Sequence, residues 1–283
     1  MWFNFHTHST YCDGQSTLAE IEGQAARFNF KSLGFSSHAP LPFDCKWCMP
    51  RERLEHYLSE IQHFNHLKKK IEIYSGLEVD YIPLVIGPQD FQKQLDYTIG
   101  SIHFVDYLKD GCGWEIDGAH QHFLEGFSEI FNGNIKDTVH RYFELTREMV
   151  TFSPPSIVGH LDKIKIQNID ERFFKEDEPW YREEIKNTLN TILHAGCIVE
   201  VNTRGIYRKK TATTYPSPWV LELIHQKEIP ITVSSDAHHK DDLINNFQET
   251  LIDLRKIGFQ EIHILDNGQW TPFKFNEHGL NVK

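Results

Sequence analysis

Apolar residues along this chain follow two alternating rhythms. Short β-rich runs recur at Trp2–His6, Ser32–Ser37, Ile71–Val79, Tyr97–His103, Ser156–His160, Cys197–Asn202 and Ile231–Ser235, with a further candidate at Glu261–Leu265. Between them lie longer polar stretches with helical spacing: Ser16–Phe28, Arg51–Lys69, Lys136–Thr151, Trp180–Ala195 and Pro218–Gln226. Ser16 or Thr17 with Glu20 offers a capping box to the first helix, and Gly196 follows the fourth where a C-cap glycine belongs. Strand then helix, repeated seven or eight times, predicts a parallel sheet with helices outside it, and closing that sheet gives a (β/α) barrel. The long stretches Ala39–Pro50 and Asp106–Gly133, rich in Gly, Pro and aromatics, read as loops over one mouth of the barrel.

Composition narrows this picture. The 283 residues contain no low-complexity linker and no compositional break, so one unit spanning residues 1–283 is expected. Hydrophobic residues make up 40%. No apolar run approaches the ~18 residues of a membrane span, and the N-terminus lacks the basic-then-apolar pattern of a secretory signal, so the expected setting is the cytoplasm. A formal net charge of -11 argues against a nucleic-acid backbone as the main partner, because such binding needs clustered Lys and Arg. A small anion held by metals stays open. The five cysteines are an odd, scattered set, and the Cys45/Cys48 pair has no second pair to complete a zinc ribbon, so they read as reduced structural thiols. Histidine is the unusual residue, with 17 copies.

Those histidines fall where chemistry would be expected. Alternate residues of a strand share a face, so His6 and His8 project together where the first strand ends. In a barrel of this kind the C-terminal strand ends and their loops form the active site. Asp13 follows the pair, His38 follows GFSS, Glu78 sits in YSGLEVDY, His103 ends YTIGSIHF, His160 ends SIVGH, and Asp236 and His238 end ITVSSDAH. One histidine after a strand is more often a capping or surface residue than a ligand. Nine His, Asp and Glu residues at successive strand ends, with two pairs at i and i+2, point to metal binding. Six imidazoles and three carboxylates exceed the needs of one tetrahedral ion but suit two or three divalent ions (Zn, Fe or Mn) that share a carboxylate and leave positions open for water. An open multi-ion site generates hydroxide near neutral pH and clamps the oxygens of an in-line displacement, which predicts hydrolysis, most naturally of a phosphate ester.

The runs HTHSTYCDG, SSHAP, GLEVDY, IGSIHF, GHLDKIK, EVNTRG with YPSP, and SSDAHH resemble, in order, the motifs of the polymerase and histidinol phosphatase (PHP) superfamily. SSHAPLPF, GLEVDYIP, IGSIHFVD and YPSPWVLELI resemble most closely its histidinol-phosphate phosphatases, and the resemblance covers roughly residues 3–245. It implies a distorted (β/α)7 TIM-like barrel, in which the Glu261–Leu265 run would have no place, and a trinuclear metal site. By the same resemblance His6, His8, Glu78 and Asp236 would ligate one ion, Glu78, His103 and His160 a second, and Asp13, His38 and His238 a third, with Asp13 standing where many relatives have histidine. The implied activity is metal-dependent hydrolysis of L-histidinol phosphate to L-histidinol and phosphate in histidine biosynthesis, by attack of a bridging hydroxide on phosphorus.

Around these residues further roles are expected. Arg204, two residues beyond Asn202, can point to the same mouth and suits phosphate because its fork donates two parallel charge-assisted hydrogen bonds. Glu78, Asp236 and Arg204 are thus the candidate catalytic residues, and Arg204 the phosphate contact. Asp162 and Lys163 could orient ligands or protonate the leaving alkoxide, and Asp44, Trp114 and Asp117 could meet the ammonium groups of an amino alcohol. His239 reads as packing, while Arg208, Lys209, Lys210, His56, His63, His66, His120 and His122 read as surface. Three alternatives stay open: a broader phosphoesterase or exonuclease, an amidohydrolase-type barrel, and a non-catalytic metal-binding domain. Glu78 in GLEVD, where amidohydrolases commonly place a bridging lysine, weighs against the second, and the full ligand complement against the third.

Overall fold

The computed structural model describes residues 1–66 and 70–281, the side chains of residues 65 and 66 aside. Seven parallel strands, Trp2–Asn4, Phe30–Phe35, Glu72–Asp80, Tyr97–Ser101, Ile157–Val158, Ile198–Asn202 and Ile231–Ser234, pair in chain order. The sheet closes just beyond its ends, where His8 N–H donates to the Ala237 carbonyl at 2.8 Å and Ala237 N–H to the His6 carbonyl at 3.0 Å. The result is the expected seven-stranded parallel barrel, with helices Leu18–Arg27, Leu54–His66, Ile135–Phe152, Pro179–Ala195 and Pro218–Gln226 outside it. Thr17 and Glu20 form the capping box, and Gly196 ends its helix at φ 71°, a conformation glycine adopts without penalty. The predicted extension of the second helix over 67–69 lies outside the described residues.

Three regions differ from the sequence expectation. The Asp106–Gly133 stretch carries an antiparallel ribbon, Phe104–Tyr107 with Gly113–Glu115, and a helix, His120–Glu129. A helix at Phe247–Ile257 was not expected, although Phe247, Leu251 and Leu254 bury one helical stripe. Glu261–Asp266 is a strand but not a barrel strand. It turns at Asn267 and Gly268, at φ 50° and 74°, and pairs antiparallel with Gln269–Asn276. Asn-Gly favours the tight hairpin turn, so this local signal folds the chain back on itself before it can join the barrel.

That C-terminal ribbon seals the barrel's other end. Trp270 packs edge-on against Phe5, with ring centroids 5.1 Å apart, and against Tyr97 at 6.1 Å. Tyr97 lies across the barrel and donates to the Phe5 carbonyl at 2.6 Å. Gly34 and Gly76 make room for it, since a Cβ on either would fall 2.3 and 2.4 Å from atoms of the Tyr97 phenol. No helix among the described residues is long and apolar enough to cross a membrane.

Candidate metal centre

At the open mouth the strand ends bring their polar residues together. The bridge between Thr7 and Ala237 sets His6 and His8 beside Asp236 and His238, and a second bridge pairs His38 with Glu78. Glu78 is the hub. Its Oε2 lies 3.1 Å from His6 Nε2, 3.4 Å from His8 Nε2 and 3.0 Å from His38 Nδ1. Its Oε1 lies 2.9 Å from His160 Nε2 and 3.7 Å from His103 Nε2, and accepts from Ser101 Oγ at 2.6 Å. Asp236 Oδ1 is 3.2 Å from His8 Nε2 and 3.7 Å from His6 Nε2. Asp13, in the loop after the first strand, stands 3.1 Å from His238 Nε2 and 3.8 Å from both His8 Nδ1 and His38 Nε2. All nine predicted residues therefore meet in one cluster.

Three sets of donor atoms lie close enough together to hold an ion each: His8, Asp13, His38 and His238; His6, His8 and Asp236; and His38, Glu78 and His103. The partition differs in detail from the expected one. His38 reaches Glu78 as well as Asp13, and His160 stands beside Glu78 outside the three sets. His6 Nε2, His8 Nε2 and His38 Nδ1 are buried and make no hydrogen bond, although each stands within 3.4 Å of a carboxylate oxygen. Atoms that face one another off the hydrogen-bond direction are donors converging on shared points. Glu78, Asp80, Glu200 and Asp236 are also all buried here, and the cations lining the cavity are Lys163 and Arg204. Buried carboxylates need compensating charge, so this donor set fits divalent cations.

The protonation preferences divide the cluster: burial opposes a charge on His6 and His103, but Glu200, Asp236 and Glu78 raise the first well above the ordinary value and Asp80 raises the second to about 9, so these two carry a proton where no cation stands. Burial would raise Glu78, but His6, His38 and His103 hold its carboxyl well below the usual range. Asp236 behaves alike, with His6 and Arg204 overcoming its burial. Burial pushes His38 down to about 4 and His8 well below the ordinary value, so both are neutral near pH 7, the state that ligates metals.

Two carboxylates that the sequence analysis passed over complete the cluster. Glu200 accepts from His6 Nδ1 at 2.5 Å, and Asp80 accepts from both the Nδ1 and the backbone N–H of His103 at 3.0 Å. Each had a signal, the strand period of two: Asp80 is two residues from Glu78, and Glu200 two from Asn202.

Above the cluster is a cavity of about 210 Å³. Arg204 enters it from the end of the sixth barrel strand, its Nη1 donating to the Asp236 carbonyl at 2.7 Å and facing His238 Nδ1 at 2.6 Å. Lys163 enters from the other side, 2.8 Å from Asp117 and 3.0 Å from His103 Nε2. Burial opposes its charge, but Asp117, Asp236 and Glu78 raise its pKa above the ordinary lysine value. Trp47, from the Ala39–Pro50 loop, covers His38 at 4.5 Å between ring centroids and donates to Glu115 at 3.0 Å. Trp47 and Glu115 also line a neighbouring cavity of about 440 Å³, walled by Phe43, Phe104 and Tyr107 with Asp44 at its edge.

Other expectations need correction. Trp114 is fully buried between Phe123 and Phe131 and belongs to the core, because it fills the space left by Gly126. Asp162 turns away from the cavity, its Oδ2 held by Lys165 Nζ and the Ser217 N–H, both at 2.9 Å. His120 and His122 sit on a helix rather than a loop, His120 exposed and His122 half-buried. His56, His63, Arg208, Lys209 and Lys210 are exposed, His239 caps a short turn through Asp241 N–H, and the His66 side chain lies outside the described residues.

A closed parallel barrel with buried imidazoles and carboxylates converging at its C-terminal strand ends is the architecture of a barrel metalloenzyme. The chain belongs to the PHP domain family, whose model matches residues 4–204. It is 27% identical over 257 residues to the histidinol-phosphatase of Bacillus subtilis, an alignment covering 84% of this chain and 94% of that protein. In fold it is similar to the hisK protein of Listeria monocytogenes, with a TM-score of 0.74 at 21% identity, covering 87% of this chain and 99% of the other. It is also similar to the histidinol phosphate phosphatase of Lactococcus lactis, solved with zinc, L-histidinol and phosphate, with a TM-score of 0.67 at 18% identity and coverage of 95% and 98%.

Proposed function

We propose that this chain is a metal-dependent phosphatase that hydrolyses L-histidinol phosphate to L-histidinol and phosphate, a step of histidine biosynthesis, acting in the cytoplasm as one unit over residues 1–283. The observation that carries this reading is the cavity in which the imidazole–carboxylate cluster faces two fixed cations, Arg204 and Lys163. The relatives supply the substrate: the Bacillus subtilis protein bears the name of this activity, and the Lactococcus lactis structure holds the product alcohol, phosphate and zinc.

In this reading His6, His8, Glu78 and Asp236 would hold one divalent ion, Glu78, His103 and His160 a second, and Asp13, His38 and His238 a third, with His8 and His38 each also within reach of a neighbouring set, the ions being Zn, Fe or Mn. When bound, such ions supply Lewis-acid stabilisation of phosphoryl oxygens and activation of water for attack on phosphorus. The chain's own residues do the rest. Arg204 binds and orients the phosphate through its planar fork. Lys163, held charged by Asp117, adds a second donor at the opposite wall. Glu78 and Asp236, fixed at the ends of the third and seventh barrel strands, keep the ligand set assembled before substrate arrives, which is the arrangement that makes electrostatic catalysis effective. Trp47, anchored by Glu115, covers the mouth and excludes water, and the acidic edge formed by Glu115, Asp117 and Asp44 faces the cationic part of an amino alcohol.

Purified protein should release phosphate from L-histidinol phosphate far faster than from unrelated monoesters. It should contain two or three equivalents of Zn, Fe or Mn. A preference for another ester by orders of magnitude would remove the substrate, and protein without metal after gentle purification would remove the mechanism.

A further inference from the structure

We propose that Glu200 is the positioning residue that fixes His6 with its proton on Nδ1, so that the free Nε2 lone pair is aimed at the metal centre, and that the same carboxylate ties His6 to His160. This rests on the reading of His6 and His160 as metal ligands.

Glu200 lies in the middle of the sixth barrel strand and is 1% exposed. Its Oε1 accepts from His6 Nδ1 at 2.5 Å and from the Ser234 hydroxyl. Its Oε2 accepts from the backbone N–H of His160 at 2.6 Å and from Asn202 Nδ2 at 3.1 Å. Donors from the sixth and seventh strands, and from just beyond the ends of the first and fifth, thus converge on one buried carboxylate. An ionised carboxylate only accepts, so each partner must donate, and the contact with His6 demands a proton on Nδ1.

With Nδ1 holding its proton against Glu200, it is Nε2 that must give up its proton, and so present its lone pair, when a cation arrives. That atom is buried, makes no hydrogen bond, and stands 3.1 Å from Glu78 Oε2 and 3.7 Å from Asp236 Oδ1. An imidazole nitrogen facing two carboxylates favours a positive charge between them, and a divalent ion can supply it in place of a proton. Carboxylate partners of ligating histidines work in this way, by setting ring orientation and raising ligand basicity. The second contact acts on the backbone. His160 has φ 22°, an uncommon value for a residue with a side chain, and the bond from its N–H to Glu200 restrains that conformation at the position from which its ring reaches Glu78. Asp80 repeats the device on a smaller scale, holding both the ring and the backbone of His103.

The test uses the full chain and zinc as the probe. Zinc affinity, measured by competition with a chromogenic chelator, should fall 10- to 100-fold in Glu200→Gln, the range for loss of such a partner. The circular dichroism spectrum of the chelated protein should be unchanged. Ser234→Ala removes a donor to the same carboxylate without touching His6, and its affinity should stay within about threefold of the parent. In zinc-loaded protein labelled with 15N-histidine, the His6 Nδ1 should carry a slowly exchanging proton that is lost in Glu200→Gln. Unchanged zinc affinity in Glu200→Gln, equal weakening in Ser234→Ala, or a His6 proton on Nε2 overturns the proposal. If Glu200→Gln fails to fold, the proton position in the parent protein still decides. His6→Asn separates the two readings: if it leaves zinc binding intact, the ligand assignment itself is wrong.

Discussion

The two ends of the barrel are built from opposite materials. At the C-terminal ends of the strands, buried histidines and carboxylates face one another with nitrogens that make no hydrogen bond. At the other end Phe5, Tyr74, Tyr97 and Trp270 pack ring against ring, and the hydroxyls among them are satisfied, that of Tyr97 by the Phe5 carbonyl and that of Tyr74 by Glu72. The floor is complete in itself, while the mouth is complete only with added cations. A single strand serves both: Tyr74 and Gly76 belong to the floor, and Glu78, on the same face, is the hub of the mouth. The stability of the floor lets the mouth hold an arrangement that no isolated polypeptide would favour.

Four perturbations separate the two ends, beginning with the most damaging. Glu78→Gln should lower kcat by about 10³-fold, the scale of removing a principal electrostatic element, with the fold retained. Retention of a tenth of the parent rate, measured by steady-state phosphate release, would demote Glu78 from its central place. Exhaustive chelation should come next. A metal present at about 1,000 times its Kd stabilises by about 4 kcal/mol, so removal should lower Tm by roughly 7 °C in a chain of this length. A thermal scan with and without chelator reads this directly, and coincident curves would show that the mouth is as self-sufficient as the floor.

Trp270→Ala attacks the opposite end. Loss of this half-buried ring should cost about 3 kcal/mol, near the low end for aromatic truncation, by urea unfolding. Metal content and KM should be unaltered in the folded fraction, and a fall in bound metal would mean that the two ends are coupled. The smallest effect belongs to Arg204→Ala. It should raise KM by about 10- to 30-fold, corresponding to one charge-assisted contact, with a lesser change in kcat. Equal effects on both parameters would place Arg204 in the transition state rather than in binding.

The parts of the molecule legible in the sequence were those written within one element. His6 and His8 announce a shared face because strand side chains alternate, and Asp236 with His238 does the same. Thr17 with Glu20, and Gly196, mark helix ends through groups a few residues apart. The parallel strand order followed from the repetition of strand and helix, which left seven or eight strands open, and the family resemblance implied seven. Less legible were features whose meaning depends on a distant partner. Trp114 looked like a binding residue in a loop until Gly126 was seen to make room for it. Glu261–Asp266 has the composition of a barrel strand and is turned away by Asn267 and Gly268.

The barrel and the nine residues that crowd its mouth were thus readable from local pattern, because strand periodicity and local capping act over a few residues. Which donors share a set, that His38 reaches Glu78, that Glu200 and Asp80 stand behind the rings of His6 and His103, and that Trp270 seals the floor emerged from the folded arrangement alone. Those relations are fixed by barrel closure and by packing between segments as far apart as Phe5 and Trp270. Burial turns them into large effects, since a carboxylate beside an imidazole counts for little in water and a great deal where water is excluded.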